Sequence, residues 1–329
     1  MSQPEAPDVL RRAQRWIAVA LAASAVLYVG YGVYSGWHET SEALQRFTWW
    51  LAVPILLTTL GNYGLRYAKW DYLLRRMGVR VQHRDNLQIY AIGLLMTLSP
   101  AKVGEIVKPY LVRRVAGTSM RRTLPVLAAE RATDAIAVLL LAAIGVGTYA
   151  SEQTGVVLLS LATVLGGLAI LFVAPLAELV FRTAERVRPL AGLVGQAREL
   201  YTTLRSCLSP VPLLYTLGLS VVAWWLECVG MWLVLQGFGL EVDLGAATFI
   251  YAFATGIGAV SPGGVGVADA GLIEGIHRLI PGTPAGVATA AALIVRVATL
   301  WFGVLLGAIA LSRVDRLSET PAEEEPALP

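Results

Sequence analysis

The sequence predicts an all-α polytopic membrane protein, with six transmembrane helices and two re-entrant broken-helix hairpins arranged as an inverted repeat. Three observations lead there: an apolar composition, six runs long enough to span a bilayer, and two shorter runs broken by related motifs. Hydrophobic residues make up 56% of the 329 positions and charged residues 15%, against about 25% charged in a typical soluble domain. The mean hydropathy is +0.62, so a soluble fold would leave whole apolar faces in water. The two cysteines, Cys207 and Cys228, are too few for a disulfide framework or a thiolate metal site. His38, His83 and His277 are scattered, so no metal is expected. Neither a dinucleotide fingerprint nor a Walker motif is present, so no cofactor is expected. Nucleic acid is excluded as a partner, because the net charge of +3 averages a basic side and a weakly acidic one.

A spanning helix needs roughly 20 mostly apolar residues. The six candidate spans are Trp16 to Gly36, Trp49 to Trp70, Leu124 to Tyr149, Gly155 to Phe181, Val211 to Gly237 and Gly286 to Leu311. The first follows Arg11, Arg12 and Arg15 as a signal peptide would, but its run is too long and no small-x-small cleavage site follows cleanly, so it reads as a retained anchor. Lys and Arg concentrate in cytoplasmic loops. With the N-terminus inside, all basic residues fall in cytoplasmic segments or their borders except Arg46 and Arg278 outside and Arg131 and Arg296 within spans. The borders so counted include the cluster from Arg66 to Arg84. Both termini are therefore expected in the cytoplasm.

The expected organisation is a cytoplasmic N-terminus over 1–15, one membrane domain over 16–312, and an acidic disordered tail over 313–329. Within the domain, repeat one covers about 49–149 and repeat two about 211–311. The cytoplasmic linker 182–209 interleaves apolar residues with Arg186, Arg188, Arg198 and Arg205. It reads equally as an amphipathic helix on an anionic leaflet or as a solvated loop.

Two further apolar stretches are too short to cross. Leu87 to Leu98 is about 18 Å long as a helix and runs into Ser99-Pro100-Ala101-Lys102-Val103-Gly104-Glu105; basic residues flank both ends of the segment. Ala246 to Val260 runs into Ser261-Pro262-Gly263-Gly264-Val265-Gly266. The surroundings recur as well: Ile89-Tyr90-Ala91 precedes the first break and Ile250-Tyr251-Ala252 the second, and a span with a buried arginine follows each, Arg131 and then Arg296. Inverted repeats with paired, interrupted helices point to a transporter whose site lies near the midplane between the halves. Proline removes a backbone donor and glycine relaxes φ, so each break frees backbone groups that must face protein or water. The half-helix after each break also directs its positive end inward, which favours an anion.

Arg131 lies about 12 Å into its span and Arg296 about 15 Å into its own. A charge that deep marks a pathway or a partner. Glu130 and Asp134 are local partners for Arg131; Glu227 and Asp269 are the candidates for Arg296. Lys102, Glu105 and Lys108 lie at or just after the first tip, where a cation meets a head group and Glu105 caps a helix or pairs with Lys102. The predicted substrate-binding set is thus Arg131, Arg296, Lys102, Glu105, Ser99, Pro100, Gly104, Ser261, Pro262, Gly263, Gly264 and Gly266, with Glu130, Asp134, Glu227 and Asp269 as supporting charges.

The motifs Ser99-Pro100-Ala101-Lys102-Val103-Gly104-Glu105, Glu130-Arg131-Ala132-Thr133-Asp134 and Ser261-Pro262-Gly263-Gly264-Val265-Gly266 resemble those of the lysylphosphatidylglycerol synthase transmembrane-region family, also described as flippase-like domain proteins. The resemblance covers about residues 15 to 312. It implies a module that moves an aminoacylated phospholipid between leaflets when fused to a soluble synthase domain. This sequence has an acidic tail where that domain would follow, so the resemblance implies translocation and not synthesis. Other members work with glycosyltransferases on polyprenyl-phosphate carriers.

The resulting expectation is a lipid translocase, not an enzyme, in a bacterial inner membrane, acting on an anionic or head-group-modified phospholipid or a polyprenyl-phosphate-linked lipid. Its partners are membrane lipids with anionic head groups. The alternative is a membrane scaffold for a lipid-modifying enzyme such as a glycosyltransferase or aminoacyl-lipid synthase. An intramembrane transferase using Glu105, Glu130 or Asp134 as base is weaker, since cations adjoin those acids and no nucleophile accompanies them. An excess of Arg over Lys fits a high-GC bacterial genome.

Overall fold

A computed structural model describes residues 37–99, 104–149, 174–185, 194–259, 261–314 and 317, together with 22, 26, 30, 162 and 166. The described residues contain helices and no strands. Most of the expected spans Trp16 to Gly36 and Gly155 to Phe181 lies outside them, as do Pro100, Lys102 and the acidic tail beyond Leu317.

Helix α1 (Trp37–Arg46) leads through one 3-10 turn into α2 (Ala52–Arg76), which replaces the expected span Trp49 to Trp70 and ends one and a half turns later. Gly78, at φ 74°, turns the chain after α2. Then come α3 (His83–Leu95), with a 3-10 turn over Met96–Leu98, and α4 (Val107–Ala116). Helix α5 (Met120–Tyr149) is 30 residues long, with Pro125 tolerated in its first turns. Helices α6 (Ala174–Glu185) and α7 (Val194–Cys207) follow. Helix α8 (Pro210–Gly237) starts on a proline, whose missing donor costs nothing in a first turn. Asp243 caps α9 (Leu244–Gly258) by accepting from the amides of Gly245 and Ala246. After a 3-10 turn over Pro262–Gly264, α10 (Val267–Leu279) leads to α11 (Ala285–Arg296), a π-turn over Val297–Trp301 and α12 (Phe302–Leu311).

Two of these helical rods, α8 and the continuous rod from Ala285 to Leu311, are long and apolar enough to cross a membrane. Only 39% and 33% of their apolar windows are buried. Val211, Leu214, Val222 and Trp225 of α8, and Val53, Leu57 and Leu60 of α2, all point outward. In a soluble protein that face would have been covered.

The linker resolves in part. Over Val194–Cys207 it is a helix packed on α5 and α6, with Cys207 and Leu208 fully buried, so this stretch is not a solvated loop. Helix α1 lies in what the sequence presents as an outer loop. It packs on α11 so closely that a Cβ on Gly286 would sit 2.7 Å from the backbone of Glu39.

The packing has a regularity. Helices α2 and α8 pack on each other; α3 packs on α4 and α12, and α9 on α10 and α5. Helix α4 packs on α5 as α10 does on α11, and α2 on α5 as α8 does on α11. Exchanging the sets α2–α5 and α8–α12 leaves this pattern unchanged. At its centre the two 3-10 turns meet: a Cβ on Gly263 would come within 2.9 Å of Leu98 Cδ2.

Candidate functional site

An apolar helix can hold a charge in its interior only where other polar groups satisfy it. Here α2 brings Arg66 and Lys69 inward. The sequence counts both with the basic cluster at the border of the span; in the bundle they are buried, and α5 presents Asp134 to them. Lys69 has no exposed side-chain surface. Its ammonium bonds Asp134 Oδ1 at 2.5 Å, Ser220 Oγ of α8 at 2.7 Å, and Thr133 Oγ1 and the Glu130 carbonyl at 3.2 Å. Ser220 also donates to Asp134 at 3.0 Å, so one knot joins α2, α5 and α8.

A second knot joins α4 to α5. Lys108, expected near the tip as a head-group contact, is buried, and its ammonium lies 2.5 Å from Glu130 Oε2 and 4.2 Å from the centroid of the Trp70 ring. Gly93 lets it reach there: a Cβ at Gly93 would be 2.5 Å from Lys108 Cδ, so any side chain on α3 would block the lysine stem.

Arg131 bridges the knots. Its Nη2 lies 2.7 Å from Glu130 Oε1 and 3.3 Å from Asp134 Oδ2, and its Nε lies 3.3 Å from Glu105 Oε2. Glu105 therefore pairs with Arg131. Its side chain is only 3% exposed, and neither of its oxygens makes a hydrogen bond among the described residues. In the other half Arg296 pairs with Asp269 (Nε to Oδ1 2.9 Å), one of its two candidate partners, and donates from Nη2 to the Gly263 carbonyl at 2.6 Å. Asp269 Oδ2 accepts from the Gly266 amide at 2.7 Å. The positive end of α10 is thus met by its own carboxylate, and Arg296 and Asp269 together clamp the second break.

The serines act within their breaks. Ser99 Oγ donates to the Met96 carbonyl and accepts from the Gly104 amide, both at 2.7 Å, while Ser261 Oγ donates to the Gly258 carbonyl at 3.1 Å. Gly263, Gly264 and Gly266 have φ of 59°, 74° and 83°, the left-handed region that a side chain strains.

Beside the second break, and touched by Leu94 and Thr97 of the first hairpin, lies a cavity of about 130 Å³. Arg66, Arg131 and Arg296 line it, as do Gly263 and Gly264 of the second break and Glu227 of α8. Asn62, Tyr63, Leu94, Thr97, Trp224, Tyr251 and Thr255 complete its walls with small residues of α9, α10 and the α11–α12 rod. Among the described residues, Trp224 Nε1 and Asn62 Oδ1 on those walls are buried with no hydrogen-bond partner, as are the Nε atoms of Arg66, Arg131 and Arg296. The Arg66 guanidinium sits over the Trp224 ring, 5.3 Å from its centroid. Tyr63 donates to the Thr299 carbonyl at 2.5 Å, within the π-turn that directly follows Arg296. Single π-turns inside α-helices recur at functional sites.

Of the residues selected from sequence, Arg131, Arg296, Gly263, Gly264 and Glu227 line the cavity. Ser99, Gly104, Glu105, Glu130, Asp134, Ser261, Pro262, Gly266 and Asp269 are not on its walls; Pro100 and Lys102 lie outside the described residues. Arg66, Trp224, Tyr63 and Asn62 were not selected. Arg66 alone carried a signal, as a cation four residues inside the end of an apolar run. Among the described residues no group of three or more His, Cys, Asp or Glu side chains is placed to hold a metal ion.

An all-helical chain with outward apolar faces and charges gathered inside defines a helical membrane protein. It belongs to the lysylphosphatidylglycerol synthase TM region family, which it matches over residues 15–307. Two relatives from Methanothermobacter thermautotrophicus, each named UPF0104 membrane protein, are similar along almost their whole length. One is 27% identical over 88% of this chain and 90% of its own, the other 23% identical over 90% and 93%.

Proposed function

We propose that this protein is a lipid translocase that receives the phosphate of an anionic or head-group-modified lipid in the cavity between its two broken hairpins. One observation carries the reading: Arg66, Arg131 and Arg296, from three different helices, converge on one partly open cavity. Guanidinium groups suit phosphate because their donors are fixed in a plane and their charge is permanent. A volume of about 130 Å³ equals that of about four waters of liquid. It holds a head-group phosphate and leaves acyl chains in the bilayer.

In this proposal the protein has six spans in the bacterial plasma membrane, with both termini cytoplasmic. The α3–α4 and α9–α10 pairs are re-entrant hairpins of an inverted repeat. Supporting this, their helices have 13, 10, 15 and 13 residues, at most about 22 Å each against a hydrocarbon core of about 30 Å. The packing pattern that survives exchange of the halves supports it too. A rocking of one half against the other about the cavity would expose the site to each leaflet in turn. The reaction is movement and breaks no covalent bond.

The test is leaflet exchange of labelled lipids in proteoliposomes, across zwitterionic, anionic, aminoacylated and polyprenyl-phosphate lipids, with Arg296→Ala as control. Selective acceleration that Arg296→Ala abolishes is the expected result. No acceleration of any lipid by well-folded protein would overturn the reading and favour a scaffold for a lipid-modifying enzyme.

A further inference from the structure

Glu227 takes no part in the ion network. It projects from the middle of α8, is 3% exposed, and lines the same cavity as the three arginines. Four other buried carboxylates have a cation within 4 Å: Asp134 has Arg66, Lys69 and Arg131; Glu130 has Lys108 and Arg131; Glu105 has Arg131; and Asp269 has Arg296. Glu227 has none among the described residues, and its one hydrogen bond is from Tyr251 Oη, at the long distance of 3.5 Å. An unpaired carboxylate inside an apolar bundle is costly to ionise. Protonation is the ordinary way out.

The groups that share its surroundings are few. Helix α2 contributes Tyr63 and Arg66, α5 contributes Arg131, α9 contributes Tyr251 and α11 contributes Arg296. Cys228 is its neighbour on α8, and the 3-10 turn Trp49–Leu51, which also touches α8, carries no titratable side chain. Elsewhere on α5, Glu130 and Asp134 are held by the lysines.

Charge then decides the coupling. Arg66, Lys69, Lys108 and Arg131 outnumber Glu105, Glu130 and Asp134 by one, and Arg296 is balanced by Asp269. With Glu227 protonated the described cluster keeps one net positive charge for a ligand; with Glu227 ionised it is neutral, and a carboxylate faces the arriving phosphate.

We propose that the cavity binds a phosphate anion and a proton together, the proton residing on Glu227, so that this protein couples head-group occupancy to protonation. The inference rests on the anion-binding reading above. By linkage, a ligand that favours the protonated carboxyl binds more tightly at low pH, and the same free energy appears as proton uptake on binding. Affinity is flat while free Glu227 is protonated, then falls by up to about tenfold per pH unit as it ionises. In a translocase the proton would travel with the lipid, and a proton gradient would bias direction.

The experiment uses full-length purified protein and follows tryptophan fluorescence, since Trp224 lines the cavity. The probes are short-chain phosphatidylglycerol and dimethyl phosphate, two phosphodiesters whose own charge is constant over about pH 5 to 9, a window in which ordinary Arg and Lys also stay charged. The wild type is compared with Glu227→Gln, which keeps the shape and removes the titration. The wild-type affinity is expected to fall with rising pH and that of Glu227→Gln to stay level; the histidines titrate alike in both. Uptake of about one proton per phosphodiester bound, measured in weakly buffered wild type, checks the coupling without any variant. Binding of dimethyl phosphate with the same slope would assign recognition to the phosphate itself, and binding of the lipid alone would assign it to the lipid. Parallel slopes in the two proteins, or binding with no proton uptake, would overturn the coupling and leave the anion site standing. No saturable binding by either protein at any pH would overturn both.

Discussion

The two halves of this bundle break their hairpins at matching motifs but secure the breaks by opposite means. In the first half the work falls to side chains. Arg131 faces three carboxylates, Lys69 and Lys108 close the network behind it, and Ser99 ties Met96 to Gly104 across the loop. In the second half the backbone does most of it. Gly263, Gly264 and Gly266 bend the chain, and one arginine and one aspartate hold the bend to a carbonyl and an amide. The difference teaches that a buried charge network and a glycine turn are alternative ways to satisfy the same broken helix. The network leaves an excess of charge facing the cavity, while the glycines leave room for a ligand to approach the backbone.

If the first half depends on its network, its keystone should cost most to remove. Lys69→Met strands Asp134 and Ser220 without their closest cation and should lower stability by about 3–5 kcal/mol. Thermal unfolding in detergent, read alongside monodispersity on a sizing column, would show it, and a variant as stable as wild type would mean Arg66 and Arg131 suffice for Asp134.

The arginines sharpen the contrast. Arg131→Ala leaves Glu105 with no ion partner among the described residues and weakens the pairing of two more acids, so about 3 kcal/mol is expected. Arg296→Ala frees one carboxylate that still accepts from Gly266, and one carbonyl, for about 1–3 kcal/mol. Melting the two variants side by side tests the ranking, and an inverted order would make the second clamp the stiffer element.

The serines should show the smallest effects. Ser99→Ala removes an acceptor that the half-buried Gly104 amide needs and should cost about 1–2 kcal/mol, whereas Ser261→Ala removes only a donor and should cost about 0.5 kcal/mol. Equal losses, by the same melting assay, would show that the second break also leans on its serine.

Much of this arrangement was legible residue by residue. Arg296, Asp269 and Glu227 stand out because a charge inside an apolar run has no local explanation, Arg131 stands out with the two acids beside it, and Pro262 with its glycines marks a break wherever it falls. The burial of Arg66, Lys69 and Lys108 was not legible, for the converse reason. They lie near basic clusters, and a count of charges along the chain does not distinguish a lysine at a membrane border from one reaching inward past Gly93. Asn62, Tyr63 and Trp224 gave no signal, since a lone polar or aromatic residue in an apolar helix looks the same facing lipid, core or cavity.

Helix positions, the interrupted pairs and their recurrence follow from the chain's own letters, because hydropathy, proline and glycine act over a few residues. Which cation meets which acid does not. That depends on helices more than 60 positions apart, such as Lys69 with Asp134, arriving side by side, and their distances are set by packing around small residues such as Gly93, Gly263 and Gly303. The cavity is a product of the same packing: three arginines of separate helices share it, and Gly263 and Gly264 of the second break face it without a side chain to fill it.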